Sequence, residues 1–206
     1  MALNYWILDT MSRKNQSTRE NILEASAQLL VENQGNGVRM SDIAKRTGIS
    51  RQAIYLHFLT RTDLLEATTR YIDETLNIDE RLAPSRQATS GEERLDRYIE
   101  AWGNYIPEIY GVAKALMNAQ ATDEAAAAAW RGRMLAMRDG CRAAIKALDD
   151  EGNLKPEFKP KEAIDLLWTM LSVSNWENLT IECAWSNKKY VKQMKELARL
   201  TFVKNS

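Results

Sequence analysis

The segment Ser41–Phe58, SDIAKRTGISRQAIYLHF, constrains this chain more than any other. It has the pattern of two short helices set at a fixed angle by one glycine. Ile43 and Ala44 face inward on the first helix, and the small Ala44 lets a second helix cross closely. Gly48 supplies a turn position where positive φ costs little. Ile49 plugs the corner, and Ile54 and Phe58, four residues apart, bury the inner side of the second helix. Ser41 is expected to cap a helix over 42–47, and Ser50 a helix over 51–58. The outer side of that second helix is left with Arg51, Gln52, Tyr55 and His57. Helices this short are marginal alone, so a longer one must pack behind them. Segment 17–33 provides it. Ser17-Thr18-Arg19-Glu20 has capping-box spacing, Ile22, Ala25, Leu29 and Leu30 recur at helical intervals, and Gly35-Asn36-Gly37 ends the helix.

The remainder keeps the helical period. Helices are expected at 62–80, 91–106, 107–119, 123–150, 161–183 and 187–204, with loops at 83–90 and 150–160. Of the four prolines, Pro84, Pro156 and Pro160 fall in the expected loops. Pro107 either opens a helix or kinks one, since it has no N–H to donate. Neither a strand-like alternation nor an internal repeat is visible. The expected fold class is all-α: an N-terminal three-helix unit containing the helix-turn-helix, then a C-terminal helical bundle. The expected boundaries are a flexible N-terminal extension at 1–16, a helix-turn-helix domain at 17–61, and a bundle at 62–206 entered through a linking helix at 62–80.

The 28 Lys+Arg balance the 28 Asp+Glu, which excludes a uniformly basic nucleic-acid coat protein but not a locally basic module. Residues 12–61 hold eight Lys/Arg and four Asp/Glu, a net +4, and the rest sums to −4. A small basic unit is fused to a larger acidic one. A chain of 206 residues buries enough surface to fold without a disulfide or metal, so Cys141 and Cys183 are expected to be reduced thiols. No run approaches the roughly 18 apolar residues of a membrane span. The first eleven residues lack a positive n-region, so a signal peptide is not expected, Met11 is an alternative start, and the expected compartment is the cytoplasm. His57 is the single histidine, with no second histidine or nearby cysteine at ligand spacing. With no Gly-rich phosphate loop and no His-based triad either, no metal, cofactor or catalysis is expected.

Thr18–Tyr71 resembles the DNA-binding domain of the TetR family of transcriptional regulators. The resemblance is carried by Arg19-Glu20-Asn21-Ile22-Leu23, Ile43-Ala44, Gly48-Ile49-Ser50, Tyr55 with His57-Phe58, and Leu64-Leu65, in family order and spacing. It covers about a quarter of the chain. It implies that Ser41 and Ser50 sit at helix starts near phosphate and that Arg51 and Gln52 face base edges. Arginine can read guanine O6/N7 and glutamine adenine N6/N7. It also implies that Tyr55, His57 and Arg61 meet the phosphate backbone. Ala53 replaces a threonine common in the family, so a phosphate hydroxyl is lost, although Ala53 can touch a thymine methyl. Arg13 and Lys14 can serve as a basic arm.

Beyond residue 90 the aromatic and sulfur residues concentrate. Trp102, Tyr105, Tyr110, Met117, Trp130, Met134, Met137, Trp168 and Trp176, with Asn175, are candidates for the wall of a small-molecule pocket; Glu100, Asn104 and Asn178 are possible polar additions. Ordinary bundle core is the competing reading. The resemblance places a homodimer interface on the last two helices, here Leu167, Leu171, Met194, Leu197 and Thr201. A dimer has its own physical motive, since two recognition helices on a two-fold axis read a palindromic operator. The expected protein is a dimeric repressor released from its operator by an unidentified small-molecule effector. An activator or dual regulator of the same fold is the alternative, followed by a non-catalytic small-molecule carrier.

Overall fold

The computed structural model describes the backbone of residues 3–33 and 38–204, and the side chains of 16–33 and 38–204. Ten α-helices run in chain order: α1 Leu3–Asn33, α2 Met40–Thr47, α3 Arg51–His57, α4 Arg61–Thr75, α5 Ile78–Arg86, α6 Gly91–Ala119, α7 Glu124–Asp150, α8 Pro160–Met170, α9 Val173–Glu177 and α10 Asn187–Phe202, with a π-helical turn at Asn178–Glu182. Among the described residues the extended pairing is a single isolated bridge, Leu154 to Val203. The all-α expectation holds.

Several boundaries differ from expectation for local reasons. Helix α1 starts well before Ser17, because nothing in 3–16 is a proline or glycine that would stop it. Ser17 and Glu20 are therefore helix interior rather than a cap, and Glu20 accepts from the Gln16 amide at 2.8 Å. The expected flexible extension is helical backbone from Leu3. The side chains of Arg13 and Lys14, Met1 and the Gly35-Asn36-Gly37 terminator lie outside the described residues. The helix expected over 62–80 breaks at Asn77, which adopts φ 53°; asparagine tolerates the left-handed region better than most residues. Pro84 sits inside α5 and not in a loop, Pro107 lies within an uninterrupted α6, and Pro160 opens α8. The helix expected over 161–183 stops at Met170. Ser172 then accepts the Asn175 N–H at 3.3 Å and caps α9.

The described helices form two compact units. One comprises α1 to α4 with Gly111–Gly132; the other comprises Leu76–Tyr110 and the chain from Arg133 onward. The core of the first unit is Ile22, Leu29, Leu30, Ile43, Ile54, Phe58, Leu64 and Leu65, all buried. Ala125, Ala126 and Ala129, from the alanine run, are buried in the same cluster, as small side chains permit close helix approach. In the second unit Leu95, Ile99, Tyr105, Ile106, Ile145, Leu148, Leu167, Tyr190 and Phe202 are fully buried. Tyr98 donates to the Met137 carbonyl at 2.7 Å. Its ring lies so near Gly140 that a Cβ there would come within 2.3 Å of it.

Among the described residues two buried hydroxyls, Ser26 Oγ and Tyr190 OH, have no hydrogen-bond partner. A buried polar group without a partner loses hydration for nothing in return. Ser26→Ala and Tyr190→Phe should therefore each be neutral or stabilise the fold, by up to about 1 kcal/mol. A fall in the denaturant midpoint for either variant would show that its hydroxyl is bonded in solution.

Candidate nucleic-acid interface

The helix-turn-helix is built from short-range signals. Gly48 adopts φ 71° and its N–H closes α2 on the Ala44 carbonyl at 3.0 Å. Only a residue without Cβ takes that conformation cheaply. Ser50 is extended and its Oγ accepts the Ala53 N–H at 3.1 Å, so it caps α3 as expected. The first cap differs. Helix α2 begins at Met40, Ser41 lies exposed in its first turn, and Asp42 Oδ2 accepts the Arg39 N–H at 3.3 Å. Ser41 is thus open at the surface and the capping role belongs to Asp42. Ile43, Ile54 and Phe58 are buried and hold α2 and α3 against α1 and α4.

This packing fixes what α3 presents. Arg51 and Gln52 are exposed, Tyr55 is 37% exposed, and Ala53 and His57 are half-buried. Arg51 lies over the Tyr55 ring at 5.7 Å and donates to its hydroxyl at 3.4 Å. A cation held against a phenol presents charge and a hydroxyl side by side. His57 contacts the Phe58 ring at 6.5 Å between centroids. Ser50, Arg51, Gln52, Ala53, Tyr55 and His57 are thereby brought together on one short helix and its cap.

Arg61 does not join them. Its guanidinium grips Asp123 with both ends, Nη1 to Oδ1 at 2.6 Å and Nη2 to Oδ2 at 2.5 Å, while Nε donates to the Val38 carbonyl at 2.5 Å. Asp123 also accepts the Ala125 and Ala126 N–H groups at the start of α7. The Arg61 guanidinium and these N–H groups hold the Asp123 carboxyl below its ordinary range. The backbone contact expected of Arg61 thus competes with bonds inside the unit, which engage each of its three guanidinium nitrogens. Arg46 is likewise turned back, donating to Glu32 Oε1 at 3.0 Å and to Gln28 at 3.3 Å. That pairing lowers the Glu32 carboxyl below its ordinary range.

The aromatic set beyond residue 90 is divided. Met117 and Trp130 belong to the first unit, and Trp130 packs on its core. In the second unit Trp102, Tyr105, Met137 and Trp176 are buried, while Tyr110, Met134, Trp168 and Asn175 are half-buried. The Trp102 indole donates to the Leu171 carbonyl at 2.8 Å. That of Trp176 donates to Asn187 at 2.8 Å, and the Asn187 amide in turn donates to Asn104 at 3.1 Å. Asn175 donates to the Thr169 carbonyl at 2.7 Å. These groups are satisfied by the fold itself. Tyr110 packs on Trp176 at 5.0 Å between ring centroids. Desolvation, followed by the nearby Glu177, pushes its phenol up to about 12. A cavity of about 380 Å³ lies elsewhere in this unit, lined by Ser90, Glu92, Glu93, Asp96, Arg97, Lys195 and Arg199. Its charges answer one another: Arg199 grips Asp96, and Lys195 reaches Asp96 at 3.6 Å and Glu100 at 3.4 Å.

The expected dimer residues also need correction. Leu167, Leu171 and Met194 are buried within the chain itself. The apolar groups left outward on the same helices are Leu166 at 45%, Leu197 at 44% and Leu200 at 69% exposure, with Thr201 half-buried. The stripe read from sequence on α8 was the inward one, and its neighbour Leu166 faces out.

The αL glycine turn, the serine-capped second helix and its outward polar side define a helix-turn-helix unit. Residues 22–68 match the family described as bacterial regulatory proteins, tetR family. The nucleoid occlusion factor SlmA of Marinomonas sp. is 35% identical over 66 residues, 32% of this chain and 34% of that protein. The match thus spans about a third of that relative's length. Two crystal structures share the fold over nearly the whole chain. One, from Saccharomonospora viridis, is described as a transcriptional regulator in complex with choline; it has TM-score 0.71 and 18% identity, and covers 92% of this chain and 100% of its own. The other is NalD of Pseudomonas aeruginosa, described as the secondary repressor of the MexAB-OprM multidrug efflux pump, with TM-score 0.68, 19% identity, and coverage of 93% and 98%. The likeness to the tetR family is thus carried in sequence by residues 22–68, and the rest of the chain shares the fold of these two solved structures. No described helix is long and apolar enough to cross a membrane.

Proposed function

We propose that the chain is a homodimeric, sequence-specific DNA-binding transcriptional regulator. In this reading it is a cytoplasmic repressor that leaves its operator when a small molecule binds among the C-terminal helices, and it acts without catalysis. The observation that carries the reading is the exposed side of α3. Its buried residues are fixed by the core, and Arg51, Gln52 and Tyr55 are left outward with donors to spare. A helix so presented enters the major groove, where arginine and glutamine side chains pair with guanine and adenine. Ser41 and His57 stand where they can meet flanking phosphates. NalD, itself described as a repressor, supports the sign of regulation. The choline-bound neighbour supports a small-molecule effector. The sequence shared with SlmA is confined to about a third of that protein, so that relative's cellular role is not carried over.

Dimerisation is assigned to α8 and α10, which pack on each other and keep Leu166, Leu197 and Leu200 outward. A second copy covering these leucines places two α3 helices on one two-fold axis. An effector acts by favouring a state in which the two helices no longer match the operator; equal affinity for both states would shift nothing.

The direct test is a gel-shift of DNA from the protein's own upstream region with unrelated DNA as competitor, at about 0.15 M salt. The expected result is a shift that survives the competitor. A folded dimer that gives no sequence-specific shift contradicts the reading. Reporter expression in a strain lacking the gene distinguishes repression, where the signal rises, from activation, where it falls.

A further inference from the structure

The centre of the outward side of α3 is apolar. Leu56 is 86% exposed. With about 100° of rotation per residue, Ile54 and Phe58 define the buried direction of the helix, and Leu56 stands about 180° from it. Gln52 and Ala53 flank Leu56 at about 40° and 60°, and Arg51, Tyr55 and His57 lie further round, at about 100° or more. The side chain aimed most directly away from the core of the unit is therefore a leucine, bracketed by the residues already assigned to DNA. Packing does not account for it, because so exposed a side chain contributes nothing to the core.

The chemistry of the major groove says what a leucine can meet there. Base edges present hydrogen-bond donors and acceptors with one apolar exception, the thymine C5-methyl. A leucine pressed on a guanine or cytosine edge strips water from polar atoms and offers no bond in exchange. Pressed on a thymine methyl, it buries apolar surface on both partners. We propose that Leu56, with Ala53 beside it, reads the C5-methyl of a thymine in each half-site and is a specificity-determining residue. The inference rests on the DNA-binding reading above. It adds a base preference in the last turn of α3, on the outward side between Gln52 and Ala53.

Deoxyuridine differs from thymidine only by that methyl, which gives a direct test. Operator sequences are selected from a random pool with the full-length protein. Each thymine of the selected half-site is then replaced by deoxyuridine, and binding is followed by fluorescence anisotropy for the wild type, Leu56→Ala and Leu56→Met. One position per half-site should weaken wild-type binding by about fourfold, the value of one buried methyl, and by about fifteenfold when both half-sites are changed. Leu56→Ala should bind the thymine and deoxyuridine operators alike, and Leu56→Met should regain most of the difference. Because Leu56 is exposed, both variants should melt as the wild type does. The inference is overturned if the wild type is indifferent to deoxyuridine at every position, or if Leu56→Ala keeps the full difference. If the pool yields no preferred sequence, the DNA-binding reading itself fails and this inference with it, a result distinct from a selected operator that ignores the methyl.

Discussion

Arg51→Ala and Tyr55→Ala, combined in one chain, should lower operator affinity by on the order of a hundredfold or more while leaving the melting transition where it is. A well-formed base contact contributes about 1–3 kcal/mol, and a dimer on a palindrome makes each contact twice. The two side chains touch each other on the surface, with Arg51 donating to the Tyr55 hydroxyl at 3.4 Å, and both are exposed. Exposed pairs of this kind contribute little to folding, so the loss belongs to binding alone. Tyr55→Phe divides the effect: it keeps the ring under the guanidinium and removes the hydroxyl that can reach phosphate. Titration of labelled operator with melting curves in parallel measures both quantities. A double variant that binds the operator as the wild type does would mean that α3 is scaffold and that DNA is read by another surface.

Asp123→Ala should be the most destabilising substitution at a partly exposed site in the N-terminal unit, by about 3 kcal/mol. The side chains of Arg61 and Asp123 are only 28% and 16% exposed. Removing the carboxylate leaves a guanidinium with its fork unfilled and also uncaps α7, whose Ala125 and Ala126 N–H groups it accepts. Asp123→Asn should lose less, since asparagine still caps a helix while the charge is gone. The pair also sets an acid limit. The Asp123 carboxyl is held below its ordinary range in the folded state, so the unfolded chain binds the proton first as pH falls. The contribution of the pair is full above the unfolded value of about 4 and is lost as pH drops through the folded value. Denaturant unfolding at pH 7 and pH 3 should show the wild type and Asp123→Asn converging at the lower pH. A constant gap would contradict this account of the pair.

Arg61 also marks where sequence reading stops. Gly48, the Ser50 cap and the Ile54/Phe58 spacing act over four residues or fewer, and the structure matches them closely. The partner of Arg61 lies 62 positions along the chain, and no local pattern announces it. A cation directly after the recognition helix therefore looked like a phosphate ligand. The breaks at Asn77 and Ser172 were hidden for a different reason. Neither site carries a proline or glycine, and the apolar period continues across both. Helix α8 presents a third difficulty, because Leu166 and Leu167 are adjacent and an amphipathic stripe does not say which of them faces the core. Leu56 is easily misread in the sequence, because apolar residues on a helix are expected to face the core. The Ile54/Phe58 spacing already points Leu56 away from the core, and its exposure bears that out.

The central claim is that two copies of α3, arranged by a two-fold axis, read a specific duplex. Hydroxyl-radical footprinting on the protein's upstream DNA measures this most directly. The account predicts two protected half-sites, related by inverted repeat and about 34–36 Å or a multiple of it from centre to centre, both lost in the Arg51→Ala, Tyr55→Ala variant. Uniform protection of every sequence tested, or a discrete footprint that persists unchanged in that variant, would contradict it.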